Sequence, residues 1–163
     1  MSALVRRSIG VATAAAAIMI GAVAPATAST QKTGPEYFLL ALADNHQTVV
    51  AHGLFTGAGR DVEHEESDTL YLGGGTLEIY HPDSKSHFSF KANPKSCFGT
   101  FTITGQYTLG AGTGRFTGIT GHGNYVVNEQ GIAPRKKSGA CNFNTEPAHL
   151  AGYVEASGPA SRS

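Results

Sequence analysis

The chain has 163 residues, with 40% hydrophobic and 15% charged side chains, a balance that excludes a disordered or purely solvating polypeptide. Twelve Lys and Arg offset twelve Asp and Glu, so there is no cationic surplus of the kind that displaces counterions from a nucleic acid. The 21 glycines and 7 prolines follow no Gly-X-Y period, which excludes collagen, and the length suits one domain.

Residues 1–28 carry the three parts of a secretory signal. Arg6-Arg7 supply the positive start, 9–23 is an apolar run, and Pro25-Ala26-Thr27-Ala28 ends in the small-x-small pattern that signal peptidase accepts. About 15 apolar residues fall short of the roughly 20 a spanning helix needs. The flanking Val5 and Ser8-Ile9 match a twin-arginine signal poorly. Cleavage is expected between Ala28 and Ser29, leaving ten cations against twelve anions in the mature chain. No later run of 18 apolar residues follows, so the mature protein is expected to be secreted and free of the membrane.

Residues 29–35 are polar and expected to be flexible, with the folded domain running over 36–156 and a flexible tail over 157–163. The segment 36–43 (EYFLLALA) has helix formers but no N-cap, and Pro35 precedes it; a buried strand is the preferred reading. Residues 48–56 are rich in β-branched and aromatic side chains. An Arg60-Asp61 turn is expected next, then a strand over 62–72 and a reversal at Gly73-Gly74-Gly75. Segment 76–81 alternates cleanly, with Leu77, Ile79 and His81 on one side. Further strands are expected at 87–91, 98–107, 122–129, 139–145 and 150–156. Eight or nine short strands with regular turn signals predict an all-β fold, an antiparallel sandwich or barrel; a single barrel of about eight strands is the preferred reading, because closure removes exposed edges. At that size the lumen holds packed side chains or one small ligand.

Cys97 and Cys141 are the two cysteines, and export to an oxidising compartment favours their pairing. Neither sits in C-x-x-C or beside a histidine, which disfavours a nucleophile or a metal ligand.

The densest motif is 107–123 (YTLGAGTGRFTGITGHG). Its core of Gly112, Thr113, Gly114, Arg115 and Phe116, followed by Gly118, Gly121 and Gly123, resembles the G-T-G-x-F/Y signature of the dirigent and allene oxide cyclase-like barrels, here as a secreted bacterial type. The motif reads as a strand-turn-strand corner in which Gly112 and Gly114 take positive φ and Phe116 anchors the returning strand. The resemblance implies an eight-stranded barrel, often a homo-oligomer, with a largely apolar cavity and no organic cofactor. It also implies enzymes that guide cyclisation or coupling of hydrophobic intermediates. The family's polar catalytic residues have no aligned counterparts here, so catalytic residues stay unassigned.

Signatures for phosphate loops, zinc proteases and serine hydrolases are absent from the sequence. Gly110 to Gly114 lacks the spacing and helix of a dinucleotide loop and reads as a turn. On a strand, His64, Glu66 and Asp68 would share one face and could ligate a cation, but a solvated acidic segment is the preferred reading, and no metal is expected. Arg135-Lys136-Lys137 reads as a solvated loop tip. His52 lies in phase with Val50 and Leu54, and His81 with Leu77 and Ile79; Tyr107 and Tyr125 also fall on apolar faces. These four are the candidate lumen contacts for a hydrophobic small molecule, weighed against plain core residues with a satisfied polar tip. The rival is a non-enzymatic secreted module that presents its surface to a partner; a metal-dependent enzyme at His64 is a third, weaker reading.

Overall fold

The computed structural model describes residues 31–44 and 46–163; the expected signal peptide and its cleavage site lie outside the described residues. Nine antiparallel strands follow in chain order: β1 (Lys32–Ala43), β2 (His46–Gly53), β3 (Gly57–Glu63), β4 (Ser67–Leu72), β5 (Gly75–Tyr80), β6 (His87–Asn93), β7 (Phe98–Gly112), β8 (Ile119–Ile132) and β9 (His149–Arg162). Two single-turn 3-10 segments, Asp83–Lys85 and Gly114–Phe116, complete the described regular structure. The sheet runs β5-β4-β3-β2-β1-β9-β8-β7 and closes through β5–β7 pairing, so the chain forms the expected eight-stranded antiparallel barrel. The remaining strand, β6, shares a wall position with β5. β5 pairs with Thr108 to Gly112 of β7, and β6 pairs with Phe98 to Thr104 of the same strand.

Several boundaries differ from the sequence expectations. Arg60 and Asp61 lie inside β3, and the reversal falls at His64, Glu65 and Glu66. Gly57 and Gly59 look like turn residues but sit on the inward face of β3, where Gly59 presses so closely on Tyr71 and Leu72 that a Cβ would not fit. Residues 139–145 form no strand; a single Arg135–Cys141 bridge interrupts an irregular segment bounded by Pro134 and Pro147. The described parts of the two flanking segments are strand almost throughout. Lys32 to Pro35 pair with Pro159 to Arg162, because the first and last strands are neighbours in the wall.

The expected Cys97–Cys141 disulfide is present, with the Cα atoms 5.2 Å apart. It ties the irregular segment after β8 to the β6–β7 turn, beside a backbone bond from Ala133 N–H to the Cys97 carbonyl and a bond from the Arg135 guanidinium to the Lys95 carbonyl. In the chain-entropy model, closing a loop of this length contributes about 4 kcal/mol.

One end of the lumen is solid. Phe38, Phe55, Tyr107 and Phe116 stack edge to face or tilted, with centroids 5.5–6.0 Å apart, among Leu70, Leu72, Leu77 and Ile119. The Gly-Thr-Gly-Arg-Phe motif explains how that end closes. The Thr113 N–H donates to the Thr76 carbonyl while the Thr76 N–H donates to Thr113 Oγ1, the Arg115 N–H donates to the Gly74 carbonyl, and the Arg115 guanidinium donates to the Thr56 carbonyl. Gly114, at φ +57°, lies so near Gly74 that a Cβ would approach its carbonyl oxygen to 2.2 Å. Positive φ falls at Gly114 and Gly118, not at Gly112, whose constraint is the Phe116 carbonyl packed against it. Gly121 and Gly123 face inward on β8, leaving room for Leu109 and Tyr107. The motif is therefore a seam that docks the β7–β8 corner onto the β4–β5 hairpin.

Candidate functional site: the open half of the lumen

Past Tyr107 the barrel is hollow. A cavity of about 530 Å³ opens there, within the range of roughly 300–1,000 Å³ typical of small-molecule sites. Strand parity builds it. Leu40 and Leu42 of β1, Ile79 of β5, Ile103 of β7, and Tyr125 and Val127 of β8 alternate inward and give an apolar floor. β6 overhangs the mouth and has no strand partner on its outer edge, so Phe88 lines the cavity while remaining 63% exposed.

The polar lining is one-sided in charge. Asp61, Glu63, Glu65, Asp68, Asp83 and Glu129 reach the cavity, with His81 as their counterweight, and neither Lys nor Arg takes part. Asp61 is 8% exposed, and its Oδ1 has no hydrogen-bond partner. Burial, reinforced by the charges of Asp68 and Glu63, pushes its carboxyl up to about 7. Glu129 is raised for the same reasons, burial first and Glu63 second. His81 Nε2 lies 3.2 Å from Asp68 Oδ1, in ion-pair contact rather than an aligned hydrogen bond. That carboxylate holds the imidazole above its ordinary value against the opposing effect of burial. The His81 ring also meets Tyr125 edge to face at 6.1 Å. Burial raises both phenols, that of Tyr107 to about 12, so both stay protonated donors near neutrality. Asp61 can thus take or give a proton near pH 7, beside an imidazole that Asp68 holds toward its charged form, in a site with an apolar floor.

The structure brings three of the four sequence candidates together: His81, Tyr107 and Tyr125 line one cavity. His52 is a correction. It points outward and stacks on Tyr37 at 4.9 Å, because Val49 and Ala51 are the inward residues of β2. Apolar side chains on both faces of β1 and β2, such as the exposed Leu39 and Val50, hide the parity there. The His64, Glu66 and Asp68 face is also corrected: His64 and Glu66 lie in the β3–β4 turn, and Asp68 alone is on β4. His64 Nε2 instead sits 3.3 Å from Thr69 Oγ1. Among the described residues, no three His, Cys, Asp or Glu side chains converge as a metal site. Asp61 and Glu129 were missed. Glu129 is in phase with Tyr125 and Val127, a signal readable from parity, whereas Asp61 was hidden by the glycine-rich start of its strand.

A second depression, about 340 Å³, lies against the wall between Tyr80, Lys85, Gln106, His122 and Asn124. It gathers no unpartnered buried polar atom. Among the described residues, no helix is long and apolar enough to cross a membrane. No protein-family model, curated protein or solved structure matches the chain.

Proposed function

We propose that the protein is a secreted, disulfide-stapled barrel that takes up a hydrophobic small molecule in the open half of its lumen. The carrying observation is the division of the lumen. A barrel built for stability alone fills with side chains, whereas this one stops filling at Tyr107 and leaves about 530 Å³ walled by apolar residues and a few convergent polar groups. The disulfide fits an oxidising compartment. The Gly-Thr-Gly motif supports membership of the dirigent and allene oxide cyclase-like barrels, and with it a cofactor-free steering of cyclisation or coupling. In that role Asp61 and His81 move protons, the phenols of Tyr107 and Tyr125 orient the ligand, and the floor excludes water.

Native mass spectrometry of protein secreted by its own host tests the reading. A stoichiometric organic adduct that a cavity-filling Val154→Trp variant loses is the expected result; retention of that adduct by the variant would overturn it. Denatured, non-reduced mass checks cleavage before Ser29. A second reading, a surface module or homo-oligomer, is favoured by the outer face of β2, β1 and β9. There Tyr37, Leu39, Val50 and Tyr153, each 44–49% exposed, adjoin one another. A bare monomer mass with no adduct, together with partner capture lost on Leu39→Glu, would favour that reading instead.

A further inference from the structure

We infer that the ligand of this lumen is a cationic amphiphile: an apolar ring or chain carrying one protonated amine, seated with its ammonium against Asp61. This deepens the lumen reading above and rests on it.

Three observations converge. The first is the orphan oxygen. Asp61 Oδ1 is more than nine-tenths buried, borders the cavity and has no donor among the described residues. A buried carboxylate oxygen without a donor is costly, and an N–H group delivered from the cavity is the missing partner. The second is the sign of the wall. Six carboxylates face the cavity against one imidazole, and that imidazole is already engaged by Asp68. A carboxylate or phosphate ligand meets repulsion from the acidic side, a neutral hydroxyl can donate to Asp61 but leaves the like charges uncancelled, and a cation relieves both. The like-charge strain of Asp68 and Glu63 on Asp61 is the quantity that a bound cation would cancel. The third is the partition of the surface. The carboxylates of β3 and β4 stand on one side of the mouth, while Phe88 on β6 and Ile103 on β7 present an apolar wall on the other. That arrangement suits a molecule with a charged head and an apolar body. Tyr125 adds an aromatic ring beside the charged side, where a cation gains further attraction.

An isosteric set of probes tests this: 1-naphthylmethylamine, 1-naphthylmethanol and 1-naphthoate, titrated calorimetrically near neutral pH into the native protein and into Asp61→Asn, Glu129→Gln and Val154→Trp. The amine is expected to bind about ten-fold or more tighter than the alcohol, the scale of one charge-assisted hydrogen bond, with naphthoate weakest. Asp61→Asn is expected to erase the amine's advantage and leave the alcohol's affinity in place. Glu129→Gln, which retains the Asp61 contact, is expected to reduce the advantage by a smaller factor; should Asp61→Asn fail to fold by circular dichroism, this variant decides. Val154→Trp is expected to abolish binding of both. Equal affinity for amine and alcohol, with both lost on Val154→Trp, overturns the charge preference and leaves the lumen reading standing. No binding of any probe overturns both. Preferred binding of naphthoate, or amine binding that survives Val154→Trp, overturns the assignment of a cation to this cavity.

Discussion

The two halves of the lumen are made from the same strands and obey opposite rules. Below Tyr107, inward positions hold Phe38, Leu70, Leu77, Phe116 and Ile119, each 2% exposed or less. Above it, the same alternation delivers Asp61, Asp68, His81 and Glu129 into a space that no side chain fills. Stability is concentrated in the first half, which frees the second to carry charges that a folded core disfavours. One buried acid crosses that division. Glu36, fully buried at the packed end, accepts a 3.0 Å bond from the Phe55 N–H through Oε2, while Oε1 has no partner.

Removing the aromatic plug tests the division most severely. Phe116→Ala is expected to lower the free energy of unfolding by about 3–5 kcal/mol in urea denaturation, since it opens a cavity where Phe55 and Arg115 now rest. A loss below about 1 kcal/mol would show that the packed end does not hold the barrel together.

Acid is expected to stabilise the protein. Burial holds the Glu36 carboxyl up to about 7, and Asp61 likewise. Between the ordinary carboxylate range and about pH 7, the folded state therefore binds more protons than the unfolded chain. The contribution of these two carboxyls is full at the acid end of that window, falls as pH rises through it, and is constant beyond. Glu36 alone accounts for about 3 kcal/mol of the decline. Asp61, raised to about 7 by burial and by the charges of Asp68 and Glu63, adds a contribution of the same sign. The slope should diminish in Glu36→Gln; an unchanged pH profile in that variant would remove Glu36 as its source.

At the seam, Gly114→Ala combines positive φ with a clash against Gly74 and is expected to cost about 1–3 kcal/mol. Gly139→Ala, also at positive φ but with nothing within 4 Å, is the matched control and should cost less. The smallest expected effect is at the mouth. Phe88→Ala should change stability by less than about 0.5 kcal/mol while weakening ligand uptake, which separates folding from function.

Legibility in the sequence followed the same division. β5 and β7 alternate apolar and polar residues without ambiguity, so barrel class and the inward placement of His81 and Tyr107 could be read directly. β3 could not. Gly57, Gly59, Asp61 and Glu63 occupy its inward positions, a pattern that locally looks like a turn followed by a solvated acidic run. It becomes an inner wall through closure with neighbours distant in sequence. The cavity itself was invisible for a related reason: an unfilled volume is a property of how strands curve around one another, not of any residue among them. The pairing of 157–162 with the start of β1 is likewise a long-range event that polar, small residues conceal.

That last pairing carries a kinetic consequence. β1 finds one of its two neighbours in β9, with Lys32 opposite Arg162, so the first strand waits for the last residues of the chain. Contacts of such sequence separation make folding slow, and the wall cannot close before β9 has been made. Until then β1 exposes an unpaired edge, a hazard for self-association. A wall that closes through its first and last strands can be opened at that one seam, where loss of a single strand pairing turns the barrel into an open sheet.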